Sequence, residues 1–225
     1  MPMNSDCDYT ATVATRGRRS ANATTIVDIL DAAKEEFASS GFDNATVDSI
    51  CRRAKVSKQL LYYYFGSKSD LYTLILKEAA EGTLDKFIGR TEYSTLPPEL
   101  ALGKFIQNLF IDHMDRPQIV KMTIDEAQHG FIHVGKGSPL AMVLRKLIDE
   151  VLGEIIERGG KSGVFRADVE VDFLFWVIYS LVTTWFTHSP LVSLVSCVGD
   201  GPNMDPTTWC KKSIDFVLSS ISNKS

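Results

Sequence analysis

The sequence predicts an all-α protein, and three observations lead there. Apolar residues recur at intervals of three and four almost throughout. No stretch alternates apolar with polar residues as a half-buried strand would, and Ser, Thr, Gly and Pro stand where helices need starts and stops. The 225 residues, 44% hydrophobic and 23% charged with eight prolines, describe an ordinary globular chain, neither collagen-like nor of low complexity. A chain this long buries enough apolar surface to stand without disulfide staples. No period of the kind seen in solenoids or propellers repeats along it.

The elements follow in order. Residues 1–22 are polar, lack the apolar run of a secretory leader and are expected to form a flexible arm. Ile26, Ile29, Leu30, Ala33 and Phe37 mark a first helix, with Thr24 or Thr25 to cap its start and Gly41 placed to end it. Thr46 caps a short second helix whose inner face is Val47, Ile50, Cys51 and Ala54. Lys55-Val56 is a tight connection, Ser57 caps a third helix that runs to about Phe65, and Gly66 stops it. A fourth begins near Ser67 or Ser69 and continues through Leu71, Leu74, Ile75 and Ala79 towards Phe87.

Beyond Pro97-Pro98 the helices lengthen, with spans expected at 98–116, 117–129, 138–158, 168–188 and 206–222. Ser189 to Asp205 is expected to be a long loop. The most hydrophobic stretch, Phe173 to Phe186, is interrupted by Ser180 and two threonines. A membrane span needs about 20 apolar residues, so this reads as a buried helix. Cysteines at 7, 51, 197 and 210 lack the close spacing of a zinc knuckle or redox pair, which points to a reducing cytoplasm and incidental thiols.

A formal charge of -4 looks wrong for a nucleic-acid binder until it is divided by region. Residues 1–90 carry 12 basic and 12 acidic groups, and the deficit lies wholly beyond them. Between Cys51 and Lys68 stand Arg52, Arg53, Lys55, Lys58 and Lys68 with no acidic side chain, which concentrates positive potential locally. Residues 46–65 form two short helices joined by about three residues, the second with Leu60, Leu61 and Tyr64 facing in and Lys58, Gln59 and Tyr63 facing out. This is helix-turn-helix arithmetic: the second helix fits a major groove, its first turn reaches base edges, and neighbouring hydroxyls and ammonium groups hold phosphates. Tyr62, Tyr63 and Tyr64 point in three directions, so at least one hydroxyl should face outward. The alternative is that they pack the core and rim of a small three-helix unit.

Residues 24–72, and above all Val56-Ser57-Lys58-Gln59-Leu60-Leu61-Tyr62-Tyr63-Tyr64-Phe65-Gly66-Ser67-Lys68 followed by Leu71, resemble the DNA-binding domain of the TetR family of bacterial transcriptional regulators. The resemblance implies an all-α homodimer with a helix-turn-helix domain at 23–68 and a larger effector-binding and dimerisation domain at 69–225. It implies Lys58, Gln59 and Tyr63 as base-edge readers, and Thr46, Tyr62, Tyr64 and Lys68 as phosphate contacts. Gln59 and Leu60 stand where many members carry small residues or Thr. Gln59 can read adenine with a bidentate amide, while Leu60 offers apolar contact or fills the core. Arg16, Arg18 and Arg19 could enter a minor groove or remain a solvated tail.

After residue 90 the resemblance rests on Ser162-Gly163-Val164-Phe165-Arg166 and Asp168-Val169-Glu170, which look like the approach to the family's first dimerisation helix. Helix 168–188 is apolar almost all round, so one side meets its own domain and another a second subunit, paired with helix 206–222 as a four-helix bundle. The resemblance places a small-molecule effector among the helices that here hold Phe105, Leu109, His113, Met122, Glu126, His129, Phe173 and Trp176. Glu126 and His129, three apart on one helical face, either orient that effector or form an ordinary hydrogen-bonded pair. His133 could complete a metal site, but Gly130 interrupts the helix, and no metal or other cofactor is assigned.

The expected partners are double-stranded DNA, a small-molecule effector and a second copy of the chain, with no membrane. No nucleophile elbow, phosphate-cradling glycine loop or HExxH helix is present, so the reading is a regulator and not an enzyme. Two alternatives stay open: an effector-independent DNA-bound structural or division-control protein, and an enzyme using the C-terminal cavity.

Overall fold

The computed structural model describes residues 22–88, 91–135, 138–197 and 204–223. Most of the N-terminal arm, with Cys7, Arg16, Arg18 and Arg19, lies outside them, as do residues 198–203 of the expected loop. The described elements are helices α1 (Asn22–Asn44), α2 (Val47–Ala54), α3 (Lys58–Phe65), α4 (Lys68–Phe87), α5 (Thr91–Thr95), α6 (Pro98–Asp115), α7 (Pro117–Gln128) and α8 (Pro139–Lys146). A π-helical segment, Leu147–Leu152, leads into α9 (Gly153–Lys161), followed by α10 (Val171–Cys197) and α11 (Pro206–Ile221). The one β feature among the described residues is a single antiparallel bridge, Phe165 to Ser222.

The chain divides into two compact units. Of the described residues, one takes in those up to Glu78 together with Lys121–Gly135, and the other those from Ala79 to Val120 and those beyond Gly135. The first unit thus also holds the start of α4 and most of α7. The reason is packing. Tyr72 on α4 is fully buried with its ring 5.0 Å from that of Phe37 and 4.9 Å from that of Phe42, and its hydroxyl lies 3.3 Å from the Met122 carbonyl of α7.

Within the first unit, Ile29, Ala33 and Phe37 of α1, Ile50 and Cys51 of α2, Leu61, Tyr64 and Phe65 of α3 and Leu71, Tyr72 and Ile75 of α4 form the core. α1 begins at Asn22, ahead of both expected cap positions, and breaks at Gly41, where φ is 74° and only glycine sits without strain. The Asp125 carboxylate closes that break by accepting the Phe42 N–H at 3.3 Å.

The second unit buries Phe87, Tyr93, Leu102, Phe105, Leu109, Leu147, Leu152, Phe165, Phe175, Ile178 and Val217 among others. Near its edge, Asp112 on α6 receives Lys86 at 2.7 Å and also pairs with Arg116, which donates to the Ala79 carbonyl at 2.8 Å. Burial pushes the Asp112 carboxyl upward, but hydrogen bonds from Lys86 and Arg116 outweigh it and hold its pKa below the ordinary value. α10 runs nine residues beyond its expected end, straight through Pro190. Proline removes one backbone donor yet keeps a helical φ, and Thr183, Thr184 and Thr187 ahead of it return their hydroxyls to helix carbonyls at 2.8, 2.6 and 3.0 Å. Among the described residues no helix is long and apolar enough to cross a membrane.

Candidate nucleic-acid interface

Two local decisions aim α3. Thr46 Oγ1 accepts the Ser49 N–H at 3.1 Å and starts α2, and Ser57 Oγ accepts the Leu60 N–H at 3.2 Å and starts α3. Between them Lys55 adopts a left-handed φ of 56°, and the Val56 N–H returns to the Cys51 carbonyl at 3.0 Å, so the chain turns within three residues. Ile50 and Cys51 of α2 and Leu61 and Phe65 of α3 are all buried.

On α3 the inward face is Leu61, Tyr64 and Phe65, at i, i+3 and i+4. The outward face carries Lys58, Gln59, Tyr62 and Tyr63, the two tyrosines 46% and 56% exposed. Tyr64, expected to touch phosphate, is only 8% exposed, with its ring 5.3 Å from that of Tyr63. It shares the helical face of Leu61 and Phe65, and that face is core. Leu60 is half-buried.

Lys68 is engaged within the fold. Its ammonium donates to the Phe42 carbonyl at 2.8 Å and the Ala45 carbonyl at 3.0 Å, and sits 4.3 Å over the Phe42 ring. Two of its three protons are thus spent tying the end of α1 to α4. Other cations of the basic run are also engaged: Arg53 lies 3.8 Å from buried Glu36, and Lys58 lies 2.7 Å from Asp48. Asp48 was not singled out from the sequence. It stands ten residues before Lys58 and on a different helix, a separation that no helical spacing rule connects.

The eight residues assigned to an effector are divided between the two units. Phe105, Leu109 and His113 face into the second unit, 0%, 3% and 7% exposed. His113 has its ring 5.7 Å from that of Tyr179 and 5.6 Å from that of Phe186, its Nδ1 finds no hydrogen-bond partner, and burial pushes its pKa down to about 4. Met122, Glu126 and His129 belong to the first unit. Phe173 and Trp176 face outward, 68% and 49% exposed.

Glu126 is fully buried with both oxygens occupied. Oε1 accepts the backbone N–H groups of His133 and Val134 at 2.9 and 3.2 Å, while Oε2 meets His133 Nδ1 at 2.8 Å and the Tyr72 hydroxyl at 3.4 Å. Burial raises its pKa, but those hydrogen bonds outweigh the burial and hold it below the ordinary carboxylate value. The imidazole partner of Glu126 is therefore His133, not the expected His129, which is exposed with Nδ1 2.7 Å from the Asp125 carbonyl. α7 ends at Gln128, and left-handed Gly130 and Phe131 fold the chain back, which no i, i+3 argument anticipates. No group of three or more His, Cys, Asp or Glu that could hold a metal ion occurs among the described residues.

Comparison with known proteins meets this geometry at its centre. Residues 29–75 match the model of bacterial regulatory proteins of the tetR family, and residues 98–198 match the tetracyclin repressor-like C-terminal domain. The chain belongs to the TetR family. Among relatives of this TetR-family protein, the HTH-type transcriptional repressor NicS of Pseudomonas putida is 29% identical over 190 residues, covering 84% of this chain and 89% of NicS. The HTH-type transcriptional regulator RutR of Escherichia coli strain K12 is 29% identical over 173 residues, covering 75% of this chain and 76% of RutR. The transcriptional regulator SCO4942 of Streptomyces coelicolor shares the fold with a TM-score of 0.65 at 21% identity, covering 89% of this chain and 99% of that one. FadR of Bacillus subtilis in complex with stearoyl-CoA does so with a TM-score of 0.62 at 18% identity, covering 87% and 99%. Membership makes the protein a regulator of transcription, which places it outside the enzymes.

Proposed function

We propose that this TetR-family protein is a ligand-responsive repressor that binds a near-palindromic operator as a homodimer. The observation that carries the reading is the outward face of α3, where Lys58, Gln59, Tyr62 and Tyr63 stand together on a capped helix whose other face is core. Lys58, Gln59 and Tyr63 reach base edges, and Thr46 and Tyr62 hold phosphates; Lys68 has one remaining proton for a phosphate, and Tyr64 only buttresses the helix.

Pairing of subunits is supported by α10 and α11. Phe173, Trp176, Ser180, Thr184, Thr187, Leu191 and Leu194 follow one another at steps of three and four along α10, and Phe173, Trp176, Leu191 and Leu194 are exposed, as is Phe216 on α11. Exposed Phe173 and Trp176 at one end of such a row and Leu191 and Leu194 at the other, with small Ser and Thr side chains between them, suit a seam buried in a dimer and are a liability in a monomer. A two-fold axis through it sets two copies of α3 against half-sites about one helical turn, roughly 34 to 36 Å, apart.

The effector is a small molecule of the second unit, admitted near Phe105, Leu109 and His113. FadR, of the same fold, holds stearoyl-CoA. Release requires unequal effector affinity for the two conformations, and complete reversal of occupancy takes about 5.5 kcal/mol of difference.

The test is selection of duplex fragments by the purified full chain, followed by footprinting of the DNA upstream of its coding sequence. A protected near-palindrome with half-sites one turn apart is expected. Failure to retain any duplex would overturn the reading.

A further inference from the structure

Lys58 is the first residue of α3 and Asp48 the second of α2, so the two arms of the helix-turn-helix each contribute one member of an ion pair. Nζ and Oδ1 are 2.7 Å apart, and the side chains remain 54% and 69% exposed. Exposed pairs of this kind add little to folding, so its consequence is sought at the surface it occupies. An acid within a DNA-reading face opposes the phosphates. Here it also engages the ammonium at the tip of the reading helix.

Lysine has three protons and aspartate leaves two of them unused. An uncharged acceptor on a base edge, such as guanine O6 or N7, can take one of those protons without disturbing Asp48. A phosphate cannot do so on equal terms. It must compete with the carboxylate for the ammonium, and the carboxylate it displaces is left beside a polyanion.

We propose that Asp48 is a specificity-determining residue of the DNA-binding face: by holding Lys58 and cancelling one charge per subunit, it suppresses attraction to phosphates at large and reserves Lys58 for base edges. The inference rests on the proposed DNA-reading role of α3. Asp48 acts through Lys58 and is a positioning residue.

The experiment measures binding of the full chain to a random-sequence 30-base-pair duplex and to a selected high-affinity duplex, across a salt series. Proteins compared are wild type, Asp48→Asn, Asp48→Ser, Lys58→Met and the double variant Asp48→Asn with Lys58→Met. Asp85→Asn, an exposed acid of α4 that belongs to the second unit, gauges the effect of net charge alone. The inference expects Asp48→Asn to tighten random-duplex binding about fivefold per subunit at 0.15 M salt and to steepen the salt slope by about one per subunit. The selected site should gain less, so the ratio between the two duplexes falls. In the Lys58→Met background the gain should shrink to that of Asp85→Asn. A gain in wild type no larger than that of Asp85→Asn, or an equal gain with and without Lys58, would overturn the inference while leaving DNA binding intact. A wild type that retains neither duplex would overturn the DNA-reading role itself, and this inference with it.

Discussion

Gln59 and Lys68 show how differently two residues of one reading motif are used. Gln59 leaves the first turn of α3 for solvent, with its amide presented as donor and acceptor together. Gln59→Ala should change preference at one base pair by roughly 1 to 3 kcal/mol, read as binding to a set of single-base operator variants. Equal losses on every variant would remove it from the base readers. Lys68 instead donates to two carbonyls at the end of α1. Lys68→Ala should lower unfolding stability by about 2 kcal/mol, because hydrogen bonds from a charged donor are lost and two carbonyls are left wanting. A chemical-denaturation curve that matches wild type would show that the lysine serves only DNA.

His113 is a buried base held neutral. Its pKa falls from an ordinary 6.5 to about 4 in the fold, so the unfolded chain binds the proton first. The fold keeps its full stability above pH 6.5 and loses it as pH falls towards 4, by about 3 kcal/mol from this group. His113→Phe should flatten that part of the stability curve, measured by denaturant unfolding at several pH values.

Among the elements, α9 shows the tightest demand on a single position. A Cβ built on Gly159 would lie 1.9 Å from Phe165 Cδ2, and Phe165 is 1% exposed with no room to yield. Gly159→Ala should destabilise the fold by about 1 to 3 kcal/mol as an overpacked contact, seen as a lower Tm. The same close approach sets the bridge from Phe165 to Ser222, where the Arg166 N–H reaches the Ile221 carbonyl at 2.9 Å and anchors the end of α11. In α7 the element is short because of backbone chemistry: Gly130 takes φ of 69°, Phe131 follows at 59°, and the helix direction is lost. The turned segment then serves Glu126 by supplying two backbone donors and one imidazole.

For the molecule as a whole, the exposed apolar side chains along α10 bear on subunit pairing. Phe173→Asp with Trp176→Glu should shift the protein from dimer to monomer in sedimentation, since two charges would be buried in an apolar seam. Operator affinity should fall with it, because two half-sites are then no longer read by one tethered pair. A double variant that remains dimeric would move the interface elsewhere.

Helix identity was legible from the chain because capping and periodicity are local. Thr46 and Ser57 accept the hydrogen bonds that their positions foretold, and Leu61 and Tyr64 turn inward as spacing requires. The outward face of α3 was equally legible for Lys58, Gln59, Tyr62 and Tyr63, since eight residues of helix have one outward side. What needed three dimensions was every pairing between distant segments: Lys58 with Asp48, Lys68 with the carbonyls of Phe42 and Ala45, Glu126 with His133 and Tyr72. The same holds for the outward turn of Phe173 and Trp176, which pattern alone left shared between an interior and an interface. Spacing along a helix reports which side chains share a face, whereas the partner of a charge depends on which backbones are brought within a few ångströms, and that is settled only when the cores have packed.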